Sequence, residues 1–120
     1  MSTPTHASIT THILDTSRGR PAAGVPIVLY RVDAATGARH ELGRGVTDAD
    51  GRLRSLLAAD APLAAGRYAL WFDTAAYFRV LGIAAFYPEV VVTFDVAEAG
   101  AHHHVPLLLN PFGYSTYRGS

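Results

Sequence analysis

The chain reads as an all-β protein, an eight-stranded β-sandwich carrying one short helix. Two observations carry that reading. Apolar and polar residues alternate with a period of two through most of the sequence, the mark of half-buried strands. The alternating runs are short and separated by turn signals, the pattern of a sandwich. With 120 residues and about half of them apolar, a single domain spanning 1–120 can build its own core.

The elements follow in order. Residues 8–15 set Ile9, Thr11 and Ile13 against Thr10, His12 and Leu14, which makes the first strand. A turn-rich segment, 17–24, leads to the second strand at 26–32. Residues 41–47 form a weaker third strand, closed by a turn at 48–51 with Gly51 at its end. Residues 52–56 suit a short edge strand. Residues 67–73 place Tyr68, Leu70 and Phe72 on one face, and residues 90–96 do the same with Val90, Val92, Phe94 and Val96. Residues 102–109 and 114–117 complete the eight strands. The one break in the pattern is 75–81, a helix capped by Asp73 or Thr74 and stopped by Gly82.

Composition excludes several functions. With no cysteine, there are no disulfides, thiolate zinc sites or thiol nucleophiles. The formal net charge is zero, and all ten basic residues are arginines scattered along the chain, so no element offers nucleic acid a basic face. No run approaches the ~20 apolar residues that span a bilayer. The first eleven residues carry no basic segment followed by an apolar run, and the last three do not resemble a peroxisomal Ser-Lys-Leu. A cytoplasmic protein without nucleic-acid or membrane partners is the expectation.

The run His102-His103-His104 is the most conspicuous polar feature. Successive strand residues point to opposite faces. His103 shares a face with Val105, Leu107 and Leu109, so it belongs in the core; His102 and His104 point outward with Pro106 and Leu108. An outward i, i+2 histidine pair can hold zinc, yet no nearby Cys, Asp or Glu completes a ligand set, and the ligand count favours simple solvation. His12 lies on the face opposite Ile9 and Ile13. By itself it reads as a surface histidine; beside His104 the two could divide the work of proton transfer. Arg52 and Arg118 offer guanidinium forks for an anion or a carbonyl, against the alternative of solvated charges. No Gly-x-Ser-x-Gly elbow and no phosphate-binding glycine loop is present, so a hydrolase built on this chain has to activate water directly.

Several segments resemble one family. They are Thr11-His12-Ile13-Leu14-Asp15 with Gly19-Arg20-Pro21-Ala22, then Phe72 to Phe78, Tyr87-Pro88-Glu89-Val90, and His104-Val105-Pro106-Leu107-Leu108-Leu109-Asn110-Pro111 with the closing Tyr114 to Ser120. Together they resemble the transthyretin-like family, in which hormone carriers stand beside 5-hydroxyisourate hydrolases. The final Tyr117-Arg118-Gly119-Ser120 is similar to the ending of the hydrolases. So are His12, Arg52 and His104, where the carriers have lysine, glutamate and threonine. Two departures are His103, where tyrosine is usual, and Asn110, where serine is commoner.

The resemblance implies a transthyretin-like (prealbumin-like) sandwich and a homotetramer, a dimer of dimers with sites at the junction. It implies cofactor-free, metal-free hydrolytic opening of the 5-hydroxyisourate ring to a carboxy-ureidoimidazoline in urate degradation. His12 and His104 would activate and orient water, Arg52 would stabilise the carbonyl oxygen, and Tyr117, Arg118 and Ser120 would bind substrate. The competing readings are a carrier of a small aromatic ligand, which the resemblance also allows, and a zinc module using His102 and His104, which rests on their spacing alone.

Overall fold

The computed structural model describes residues 8–57 and 63–120; the first seven residues, read above for a leader, and residues 58–62 lie outside it. The order is β1 (Ser8–Asp15), β2 (Arg20–Pro21), β3 (Pro26–Val32), β4 (Arg39–Val46), β5 (Arg52–Leu53), β6 (Gly66–Phe72), α1 (Thr74–Val80), β7 (Val90–Val96), β8 (His102–Asn110) and β9 (Gly113–Thr116). The eight expected strands are all present, three with the expected ends. A ninth, β2, is a two-residue strand inside the segment read as turns; two residues are too few to show a period.

Two sheets make the sandwich. One runs β4-β3-β6-β7, antiparallel throughout. The other runs β2-β1-β8-β9, with β5 added beside β1. Strand β1 has two occupied edges. Along one, all eight of its residues pair in parallel with β8, from Ser8 opposite His102 to Asp15 opposite Leu109. Along the other, β5 takes Thr11 and His12 and β2 takes Leu14 and Asp15, both antiparallel. Parallel neighbours need a long crossover, and here the whole second sheet is traced between β1 and β8.

The alternation read in the sequence decides what lies between the sheets. Ile9 and Ile13 of β1 and Val105, Leu107 and Leu109 of β8 are buried against Ile27, Leu29, Leu70, Phe72, Val90 and Val96. His103 joins them at 5% exposure, its Nδ1 3.1 Å from the Ala101 carbonyl and its ring stacked 6.4 Å from Phe94. A histidine is thus accommodated in the core with its Nδ1 partnered by a backbone carbonyl. Gly51 has a positive φ of 75°, and a Cβ there would collide with the Ile13 carbonyl, which accepts from the Ala22 amide. That turn delivers β5 to the edge of β1.

Helix α1 begins where Asp73 accepts a hydrogen bond from the Ala76 amide at 3.0 Å, and it ends at Leu81 before the left-handed Gly82. Its Tyr77 and Phe78 are buried. Tyr77 donates its hydroxyl to Asp15 Oδ2 at 2.7 Å, tying the helix to the last residue of β1. Asp15 is fully buried. Burial alone would raise its pKa, but bonds from the Ser17 hydroxyl, the Tyr77 hydroxyl and the Arg18 and Ser17 amides outweigh that and hold it below 3.8.

Folding thus lowers the Asp15 pKa, so its stabilisation is complete above the unfolded-state value and drains away as pH falls through the folded one. Asp15→Asn is expected to cost about 1–3 kcal/mol at neutral pH, the cost of a buried charged hydrogen-bond group. Urea denaturation at neutral and acid pH checks this: the variant's deficit should shrink as the solution is acidified, and an undiminished deficit would show that the charge is not responsible.

Candidate active site

The outer face of the β2-β1-β8-β9 sheet collects the polar residues that the core rejects. Residues paired across neighbouring strands point to the same side. Thr10 lies opposite His104, His12 opposite Pro106, Leu14 opposite Leu108, and Leu108 opposite Ser115. The outward positions of β1, β8 and β9, separate in the sequence, thus form one surface.

The parallel register builds two matched rungs on it. Ser8 Oγ lies 2.5 Å from His102 Nδ1, and Thr10 Oγ1 lies 2.8 Å from His104 Nδ1. The two imidazoles stack with centroids 6.3 Å apart and an angle of 11° between planes. With Nδ1 of His104 occupied by a hydroxyl, Nε2 is its nitrogen free to exchange protons. Burial lowers the His104 pKa, and the neighbouring charges of His102, His12, Arg52 and Arg54 lower it further, below 6.5. His104 is therefore held neutral near pH 7.

From the other edge of β1, strand β5 places Arg52 opposite His12. Asp48 fixes this turn by accepting from the Arg52 amide at 3.0 Å and the Asp50 amide at 2.9 Å. The chain end returns to the same place: Gly119 donates its amide to the His104 carbonyl at 2.8 Å. A Cβ at Gly119 would lie 2.6 Å from His104 Cδ2, so only glycine lets the terminal segment lie flat on this imidazole.

The result is an open cleft of about 370 Å³ lined by Arg52, His104 and Ser120 together with Ser8, Thr10, Thr11, Arg54 and His102. Four of the residues singled out from sequence, Arg52, His102, His104 and Ser120, thus share one cleft. Tyr117 and Arg118 line an adjoining one of about 250 Å³, reached across the same His104 and walled by Val92 and Phe94. His12 lies between β5 and β8 on the same sheet face, off the lining of both clefts, near enough for its charge to act on His104. Sequence reasoning missed Thr10, Ser8 and Arg54. Thr10 shares a face with His12 by simple alternation, but its partner is 94 residues away, and only the register reveals the pair. Among the described residues no group of three or more His, Cys, Asp or Glu converges as a metal site.

Chemically, the cleft offers an imidazole whose pKa is held down, a guanidinium across one strand from it, and hydroxyls, with no Asp or Glu in its lining. Such a set suits hydrolysis of a carbonyl compound by activated water, with the cation facing the oxygen where charge develops.

Residues 9–119 match the model of the HIUase/Transthyretin family, and the chain belongs to that family. It is 49% identical over 116 residues to a 5-hydroxyisourate hydrolase of Mesorhizobium japonicum, covering 93% of this chain and 91% of the relative. Among solved structures it is similar to Klebsiella pneumoniae 5-hydroxyisourate hydrolase, with a TM-score of 0.80 and 40% identity over 95% of this chain and all of that one. It is also similar to sea bream transthyretin, solved in complex with thyroxine, with a TM-score of 0.84 and 34% identity over 92% and 93% of the two chains. Carrier and enzyme share the fold, so only the site residues can separate the two activities.

Gly119→Ala is expected to displace the His104 ring while leaving the fold intact. Activity should drop on the order of 10²-fold, as for other small misplacements of a reacting group, with unchanged circular dichroism. A fully active variant would remove Gly119 from the account of the site.

Proposed function

We propose that this single-domain chain is a 5-hydroxyisourate hydrolase, opening the substrate's six-membered ring without cofactor or metal. The observation that carries the reading is the geometry of His104, bonded through Nδ1 to Thr10 and sharing a cleft with Arg52. His104 takes a proton from water through Nε2 as the water attacks the ring carbonyl. Arg52 faces the carbonyl oxygen and balances its growing negative charge. His12, beside Arg52 across the strand pair, orients the water, and Ser120 closes the cleft. Tyr117 and Arg118 bind the part of the substrate that reaches past His104 into the adjoining cleft. The ring carbon–nitrogen bond breaks, the leaving nitrogen takes up a proton, and the new carboxyl group ionises.

The same reading makes the working form a cytoplasmic homotetramer. Phe86, Phe112, Tyr87 and Tyr114 are exposed, and Tyr87 stacks edge-on against Phe86 at 4.9 Å and Tyr114 at 5.2 Å. They adjoin β7 and β9, the terminal strands of the two sheets, whose outer edges are free to pair with another copy. A second contact over the outer face of β1 and β8 would cover the open cleft and exclude bulk water.

The decisive assay generates 5-hydroxyisourate with urate oxidase and follows its ultraviolet decay with and without the protein. Acceleration over the spontaneous rate is expected; none would overturn the reading. His104→Ala and Arg52→Ala should each lose on the order of 10²-fold in kcat/KM. Because His104 acts as a neutral base with a pKa held below 6.5, kcat/KM should stay high down to that pH and fall only below it. Sedimentation should give a mass near four times 12.8 kDa, and Phe86→Glu should lower it.

A further inference from the structure

The cleft holds one cation that the reaction as described leaves unused. Arg54 is exposed and follows Arg52 by two residues, and both line the same cleft. Its charge reaches far enough in to act on the His104 imidazole, as that of Arg52 does. The ion pairs among the described residues are Arg44 with Glu41 and Arg67 with Asp95; neither Arg52 nor Arg54 takes part in one. Asp48 feels both guanidinium charges, but its Oδ1 is occupied by two backbone amides and it stands outside the lining.

Two guanidinium groups on one wall, with no Asp or Glu side chain among the lining residues to pair with them, exceed what a neutral ring carbonyl needs. The chemistry of ring opening explains the excess. Water's oxygen bonds to the carbonyl carbon, the carbon–nitrogen bond breaks, the nitrogen gains a proton, and a carboxylic acid is left that loses its proton at neutral pH. A carboxylate has two equivalent oxygens, one from the old carbonyl and one from water. Arg52 is already on the first.

We propose that Arg54 is a second anion-binding residue of this site, which together with Arg52 holds the carboxylate created by ring opening. This rests on the hydrolase reading for its substrate, but it can be tested as binding alone. Arg54 then favours the late, charged stages of the reaction and the product over the uncharged ring. It also sets a preference for carboxylate-bearing ligands that the cleft shows even without turnover.

The test compares imidazole-4-carboxylate with the neutral, similarly shaped imidazole-4-carboxamide by isothermal titration calorimetry on the full chain. The native protein should prefer the carboxylate. Arg54→Gln should lose roughly tenfold of that preference, the scale of one charged hydrogen-bond contact, and Arg54→Lys should keep part of it. No preference in the native protein, or one that survives Arg54→Gln, overturns the proposal. Arg54 is exposed, so a folding defect in these variants is not expected, and thermal melts check it. A native protein that prefers the carboxylate but does not hasten 5-hydroxyisourate decay would sink the hydrolase reading and leave the Arg54 assignment standing.

Discussion

The parallel pairing of β1 with β8 is the constraint on which the rest depends. Eight consecutive residue pairs hold it, and a slip by one residue would exchange the two faces of β8 relative to β1. Val105 and Leu107 would leave the core while His104 entered it opposite Ile9 and Ile13. The apolar packing thus enforces the register, and the register brings Thr10 to His104 and Ser8 to His102. A site made of hydroxyl–imidazole rungs is held in place by the hydrophobic residues on the reverse side of the same strands.

Around that seam the other elements act as suppliers. The turn ending at Gly51 presents β5, and so Arg52 and Arg54, to the edge of β1 opposite β8. The terminal segment folds back over β8 through the amide of Gly119 and brings Ser120 to the cleft. Helix α1 stays away from the chemistry, but its Tyr77 locks the buried carboxylate at the end of β1. Each supplier touches β1 or β8 directly, so errors in one do not pass through another before reaching the site.

How much of this the amino-acid order reveals depends on the range of the interaction. Alternation is local, and it correctly separated His103, which is buried, from His102 and His104, and Ile9 and Ile13 from His12. The helix was equally readable to within one residue, and its cap to the pair Asp73 or Thr74, of which Asp73 is the cap, because capping is decided within four residues. Pairing between chain-distant strands leaves no local mark, which is why the partners of the histidines were invisible. Strand β2 was hidden because two residues show no period. The separation of Tyr117 and Arg118 from the Arg52 cleft was hidden too, because β9 ends at Thr116 and its alternation does not carry past that point. Family resemblance named the functional side chains, and the geometry explains why they work from those positions.

The face-by-face division of β1 and β8 has a consequence for how such a protein can change through descent. Every inward residue on these strands answers to close packing, where even a methylene matters. The outward residues answer only to the solvent and to whatever occupies the cleft. Replacing a handful of them leaves the core untouched, so an ancestral sandwich can exchange one trade for another without passing through an unfolded generation. The similarity of this chain both to a bacterial hydrolase and to a thyroxine-binding transthyretin accords with a scaffold whose inner face is inherited and whose outer face is negotiable.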